Sequence, residues 1–273
     1  MHKCTINLNE GGKVKKMRIN HTMWSNEIRQ QVFNSSIFAG LVISNLNHTI
    51  NNSCNTVIMP DEHALNNGYY DKTNDIEIVL DRHKRGTCVI NSSDIAKVQS
   101  DSNLCNRIIE GMFGYPMANI IDNEIYDFIE SSLYTQNVGA NGGNYADKNY
   151  AVIRNAIQKL DESNAPESDR YMIISLKQKN AMLGIEKFVS ADKIGDSNVI
   201  RKWLFGQIYG VPIYIVLNTY NRCIMFHKSA LAVCMAPPKV RSFTDIDTHE
   251  TKIIVDIRYG FRILNKDYIV KIR

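Results

Sequence analysis

The sequence predicts an α+β fold with helices and strands segregated along the chain. Three observations carry that prediction. Between residues 92 and 134 apolar side chains recur at three and four positions, first Leu104, Ile108, Ile109 and Met112, then Ile121, Ile125, Phe128 and Ile129, which is one helical stripe. The last quarter, with "CIMFHKSALAVC", "THETKIIVDIRYGFRIL" and "YIVKI", reads as strands. Between residues 55 and 91 two strand-like arms flank a polar, Gly/Asn-rich stretch, "DEHALNNGYYDKTND", as in a long β excursion with an exposed tip.

The elements follow in order. "WSNEIRQQVFNSS" (24–36) predicts a short amphipathic helix with Trp24, Ile28, Val32 and Phe33 on one side. "NTVIMP" (55–60) is a strand stopped by Pro60, and "IEIVLDRHKRGTCVIN" (76–91) regains strand character at both ends. Such an excursion buries little of itself and needs a partner surface. Asp101 or Ser102 can cap the start of the long helix. Its span of about 32 residues would reach roughly 48 Å at 1.5 Å per residue. Gly111, Gly114 and Pro116 interrupt it, which predicts a kink near Tyr115. "NVGANGGN" (137–144) is a turn. A helix follows over 147–164 with Val152, Ile153, Ala156, Ile157 and Leu160 inward, then a buried strand at 170–175 and a short helix at 176–185. Residues 199–218 predict a strand pair around Gly206 and Gly210.

Composition narrows the class. At 273 residues with 44% apolar and 22% charged side chains, the chain can bury a sizeable core. No apolar run approaches the roughly 18–20 residues of a membrane span. The start lacks the apolar segment of a secretory signal, so synthesis in the cytosol is expected. A net charge of +4 is mild, and its dense basic clusters, "KVKKMR" (13–18) and "DRHKR" (81–85), lack the interleaved aromatics of base stacking. The cysteines Cys4, Cys54, Cys88, Cys105, Cys223 and Cys234 form no CxxC or zinc spacing and read as reduced, mostly buried thiols.

His227, Lys228 and Ser229 stand together inside an apolar run and are the obvious candidates for nucleophilic chemistry. On a strand, alternation would send Phe226, Lys228 and Ala230 one way and His227, Ser229 and Leu231 the other, so Lys228 and Ser229 could not act on one atom. No GxSxG elbow precedes the serine. "GANGG" (139–143) lacks the P-loop lysine, and "DIDTHE" (245–250) has alternating oxygen ligands but no Gly and bidentate Glu at the spacing of an EF-hand. Asp122, Glu124 and Asp127 read as a solvated helix face. No catalytic, cofactor-binding or metal-binding residue is therefore expected. Two other readings remain open: a small serine hydrolase using Ser229 with Lys228 or His227, and a basic DNA-binding head protein using 13–18 and 81–85.

The order of these pieces resembles the major capsid proteins of tailed bacteriophages with the Hong Kong 97 fold, from about Met23 to the C-terminus. "MWSNEIRQQVF" and "FAGLVISNL" are similar to the family's opening segment. "NTVIMP" and "IEIVLDRHKRGTCVINSSDIAKVQSDSN" resemble the two arms of its extended E-loop, and "NIIDNEIYDFI" the end of its spine helix. "AIQKLDESNAPESDRYMIIS" resembles its helix–turn–strand, "GQIYGVPIYIVLN" its hairpin, and "FHKSALAV" and "DIRYGFRILNKDYIV" its closing strands.

The resemblance implies a Hong Kong 97-type capsid fold with an N-terminal arm and short helix (1–40), an extended β E-loop (41–93), a long spine helix with the peripheral (P) domain (94–136), a mainly axial (A) domain (137–225) and a closing β segment of both domains (226–273). It implies a non-enzymatic shell protein that self-assembles into pentamers and hexamers of an icosahedral head, in the virion, after assembly in the host cytoplasm. The N-terminal arm would run beneath or beside a neighbour. The implied partners are other copies of the chain, a separate scaffolding protein, portal and head proteins, with enclosed double-stranded DNA contacted at most weakly; no cofactor and no membrane are implied. Candidate inter-subunit contacts are Trp24, His63, Tyr69, Tyr70, Asp71, Lys72, Arg82, Lys84 and Arg85.

Overall fold

A computed structural model describes residues 20–44, 56–59, 65–66, 69–70, 76–91, 94, 97–98, 101–132, 136–138, 150–183, 204–217, 223–245 and 250–272. The basic run at 13–18 and most of the excursion tip lie outside them.

The first helix, α1 (His21–Ser35), starts where the Asn20 side chain accepts a hydrogen bond from the Met23 amide. Trp24, Ile28 and Val32 fall on its buried stripe, as their spacing predicts. Ser36 ends it and caps the short α2 (Ile37–Leu41). Both pack on the spine of the molecule, a continuous helical rod formed by α3 (Ser102–Ile109), a π-helical turn (Glu110–Gly114) and α4 (Tyr115–Ser131). Asp101 caps its start by accepting from the Asn103 and Leu104 amides.

The interruption expected near Tyr115 takes the form of that π turn. Pro116 has no amide to give to the preceding turn, and the backbone absorbs the mismatch by widening, so that the Tyr115 amide reaches the Glu110 carbonyl instead. Gly114 lies on the side facing α1, where an added Cβ would sit 3.2 Å from Cβ of Gln31. The rod from Ser102 to Ser131 is roughly 45 Å long at 1.5 Å per residue. At its far end the buried ammonium of Lys271 donates to the carbonyls of Glu130 (2.8 Å) and Ser132 (2.5 Å). A cation there satisfies orphan carbonyls and the negative end of the helix dipole together.

Two sheets flank the rod. One has six strands in the order β6 (Gln136–Val138), β14 (Ile269–Ile272), β10 (Cys223–His227), β7 (Arg170–Ser175), β9 (Val211–Val216), β8 (Leu204–Ile208). The helix α5 (Tyr150–Glu162) buries Ile153, Ala156 and Leu160 in the core, and α6 (Leu176–Leu183) follows β7 directly. Tyr209 and Gly210, with φ of 50° and 80°, make the two-residue turn of the β8–β9 hairpin.

The second sheet is built on the long β13 (Glu250–Ile263). On one side it pairs with β12 (Lys239–Thr244) and then β11 (Leu231–Met235); on the other it pairs with β5 (Arg82–Asn91) over ten residue pairs. Residues 82–91, expected in the returning arm of the excursion, are therefore a full member of this sheet. The excursion's arms are β1 (Thr56–Met59) and β4 (Ile76–Val79), paired antiparallel, with β2 (Leu65–Asn66) and β3 (Tyr69–Tyr70) beyond them. A separate small core of Ile78, Leu80, Ala232, Cys234 and Ala236 anchors its root. There the backbones approach so closely that a Cβ on Gly260 would lie 2.0 Å from the Val79 carbonyl oxygen.

The run "CIMFHKSALAV" is not one strand. β10 ends at His227, a 3-10 turn spans Lys228–Ala230, and β11 begins in the other sheet. The alternation expected across 226–231 is accordingly broken. Among the described residues no helix is long and apolar enough to cross a membrane.

Candidate functional site

At the sheet switch, the 3-10 turn brings His227 Nδ1 to 2.7 Å from the Ser229 hydroxyl, a closeness that strand geometry would not give. The same nitrogen accepts from the Ser229 amide at 3.2 Å. It therefore presents its lone pair inward and caps the turn, while the ring packs edge-on against Tyr268, 5.8 Å away. Lys228 points elsewhere on the exposed side, its amide donating to the Asp169 carbonyl at 3.0 Å. The trio sits at a corner between two sheets, where the His227–Ser229 pair caps the turn.

The acidic helix residues expected on a solvated face divide three ways. Asp127 is exposed. Asp122 is 2% exposed and accepts from the Ser36 hydroxyl (2.6 Å) and from the amides of Ile37 (2.9 Å) and Phe38 (3.2 Å), capping α2 from across the core. Burial pushes its carboxyl up to about 6, against the downward pull of those three bonds. Glu124 is partly buried and receives Arg82 (3.1 Å), Lys84 (2.6 Å) and the Tyr259 hydroxyl (2.7 Å). Burial raises its pKa, but the bonds from Lys84, Tyr259 and Arg82 together hold it below the usual carboxylate range.

The cluster "DRHKR" thus resolves by strand alternation. Arg82 and Lys84 face the rod and grip Glu124; His83 and Arg85 face outward and meet Asp256 at 3.3 and 2.7 Å. Arg241 of β12 binds the other oxygen of Asp256. Partial desolvation raises the Asp256 pKa, yet the bonds from Arg85 and Arg241 outweigh it and hold the carboxyl low.

A second built feature is the turn after α5. Asn164 and Asp169 adopt positive φ (57° and 54°), which both residue types tolerate. The nearly buried Arg170 ties it together, donating to the carbonyls of Ala165 (2.6 Å) and Pro166 (2.7 Å) and pairing with Asp161 (2.7 Å). Tyr268 donates to the Asn164 carbonyl at 3.3 Å and Tyr171 to Asp169 at 3.1 Å. Arg170→Lys keeps the charge but loses the planar fork, so it is expected to cost about 2 kcal/mol. That corresponds to a fall in Tm of about 4–8 °C by calorimetry; an unchanged Tm would show the turn to be held otherwise.

The candidate contact residues fall unevenly. Trp24 is 1% exposed inside its own chain's core, so its side chain offers nothing to a neighbour; its place on the apolar stripe of α1 decides that. Arg82, Lys84 and Arg85 remain part-exposed but bind carboxylates of their own chain. Tyr69 and Tyr70 form β3, paired with Leu65–Asn66. His63, Asp71 and Lys72 lie outside the described residues. Among the described residues, no cluster of His, Cys, Asp and Glu could hold a metal ion. Cys88, Cys105, Cys223 and Cys234 are buried free thiols, and burial pushes Cys234 up to about 11. Sequence reasoning missed Asp122, Arg170 and Lys271. Asp122 had a signal, since it lies four residues after Ala118 and three before Ile125 on the buried stripe.

No protein-family model matches the chain. No curated protein sequence matches it either. Solved structures do. A chain from Mycobacterium phage Che8 aligns with TM-score 0.61 at 18% identity, over 87% of this chain and 91% of that one. A virus-like particle from Pyrococcus furiosus aligns with TM-score 0.62 at 13% identity, over 93% and 100%. The mature capsid of bacteriophage PhiM1 aligns with TM-score 0.53 at 12% identity, over 98% and 91%. Each of these alignments spans 87% or more of both chains, and the fold of this chain is that of phage major capsid proteins.

Proposed function

We propose that the chain is the major capsid protein of a bacteriophage, self-assembling into pentamers and hexamers of an icosahedral shell around double-stranded DNA. The observation that carries this reading is the near end-to-end likeness to capsid structures, which leaves little of the chain over for another task. His227 Nδ1 and the amide and hydroxyl of Ser229 are tied to each other as the cap of a turn, which favours a mechanical role over hydrolysis. In this reading the excursion that carries β1 to β4 serves as the E-loop laid over a neighbour, β5 joins the rod and the rest of the four-stranded sheet in the P-domain, and 137–225 serve mainly as the A-domain. A separate scaffolding protein and a portal complete the head in the host cytoplasm, and the mature site is the virion.

The test is assembly. The purified chain, followed by sedimentation velocity and negative-stain microscopy, is expected to give shells, rings or sheets. A monomer at high concentration, with or without co-expressed head proteins, would overturn the proposal. Deleting residues 63–75 is expected to abolish closed shells while leaving the circular dichroism spectrum and Tm of the subunit nearly unchanged. Shells of normal size from the deleted chain would remove the E-loop role. Because one similar structure is a virus-like particle, nucleic-acid content of the particles separates a genome container from an empty cage.

A further inference from the structure

The outer face of the four-stranded sheet is unusual in composition. Pairing register sets its side chains in rows across β12, β13 and β5: Phe243–Lys252–Val89, Arg241–Ile254–Thr87, Lys239–Asp256–Arg85, and finally Arg258–His83. Basic groups outnumber acidic ones in this array, because Arg85, Arg241 and His83 all converge on the single carboxylate of Asp256. Among them stand two large apolar side chains in the open, Phe243 at 57% and Val89 at 51% exposure. A polyphosphate would match the charge and leave Phe243 and Val89 uncovered. A protein surface that is acidic and carries an apolar projection matches both.

The chain itself carries such a surface. The turn after α5 exposes Glu162, Glu167 and Asp169 around the exposed Pro166. It is held rigid from beneath by Arg170, as described above, so little conformational freedom is lost when it docks. Both surfaces are thus fixed before they meet: one basic, the other acidic.

We propose that the outer face of β12–β13–β5 docks on the acidic turn at 161–169 of a neighbouring copy, a head-to-tail contact between unlike surfaces. The inference rests on the shell reading above and names a contact within it. A head-to-tail contact propagates around a ring when its rotation closes, which a shell capsomer requires. Since its charged pairs lie at a solvated boundary, salt screens the contact.

The test is a charge swap in the full chain. Lys239→Glu with Lys252→Glu cancels the face's excess of positive charge; because Lys239 stands opposite Asp256, Lys252→Glu alone, outside the Asp256 cluster, serves as the control for a local effect. Glu162→Lys with Glu167→Lys cancels the acidity of the turn without touching Arg170, at the loss of the exposed Lys159–Glu162 pair (2.7 Å). Each double variant is expected to stay folded, with a Tm within a few degrees of wild type, and to raise the concentration needed for assembly about tenfold, an effect that Lys252→Glu alone should share in part. The chain carrying all four substitutions restores complementarity and is expected to assemble near the wild-type concentration. Raising salt from about 0.1 M to about 0.5 M should weaken wild-type assembly in the same direction. Normal assembly of either double variant, or no rescue by the combined chain, overturns this contact and leaves the shell reading intact. A face variant that assembles normally but retains less DNA would assign the face to nucleic acid and also overturn it. A wild-type chain that never assembles removes both proposals together.

Discussion

Replacing Asp122 by alanine is expected to destabilise the chain by about 3 kcal/mol. The change strands the Ser36 hydroxyl and the amides of Ile37 and Phe38, all inside the core, and α2 loses its tie to the rod. Asp122→Asn keeps an acceptor oxygen and should cost less. The two chains also separate in their pH dependence. The Asp122 carboxyl ordinarily titrates near 3.8 and is pushed up to about 6 in the folded chain, first by burial. The folded state therefore holds this proton more tightly than the unfolded state. Its contribution is fully present below about pH 4 and is lost as pH rises through about 6. When protonated, the carboxyl can donate to the second lone pair of Ser36 and keep accepting from the amides. A difference of this size corresponds to about 3 kcal/mol. Urea unfolding at several values between pH 4 and pH 7 should show wild type losing stability relative to Asp122→Asn by that order. A constant gap between the two would refute it.

Gly260→Ala is expected to have a larger effect, of at least about 4 kcal/mol or outright failure to fold. The added methyl would lie 2.0 Å from the Val79 carbonyl oxygen and 2.9 Å from its carbon, and both atoms are backbone. No side-chain rotation can relieve that contact. Either β4 lifts from β13 or β13 bends away from β5, and each opens the small core of Ile78, Leu80 and Cys234. Gly111→Ala is the matched control: nothing lies within 4 Å of the place its methyl would occupy, and the residue is helical. It should be neutral or stabilising by about 0.5–1 kcal/mol. Differential scanning calorimetry of the two variants decides it, and equal Tm values would refute the close approach.

Much of the fold is legible wherever spacing alone decides. The stripes of α1, the rod and α5, the Asp101 cap and the turn at Tyr209–Gly210 follow from period, capping chemistry and positive φ. The departures share another cause. β5 reads as part of the excursion because its partner strand lies far along the chain, and no local property of "RHKRGTCVIN" names that partner. The break at Lys228 depends on the Asp169 carbonyl that takes its amide, a tertiary bond invisible in "FHKSALAV". Trp24 reads as a contact residue by its type although its own stripe points inward, and Asp122 reads as solvated although its spacing places it in the core. For those two the pattern carries the answer and residue type masks it. The basic cluster at 81–85 is legible as charge; its sorting between Glu124 and Asp256 needs the pleat and both neighbours.

The pairing of β5 with β13 also sets a clock. Arg85 and Asp256, joined by an ion pair, are 171 positions apart in the chain. At roughly 5–20 residues per second of synthesis, β5 waits on the order of ten to thirty seconds for its partner to leave the ribosome. Loop closure over that separation is slow in any case. Until then the sheet whose outer face carries Lys239, Arg241 and Phe243 does not exist, so a growing chain has no completed surface to offer a finished one. Nascent chains stalled before residue 250 should accordingly be cut by protease within β5, and the released, folded chain should resist.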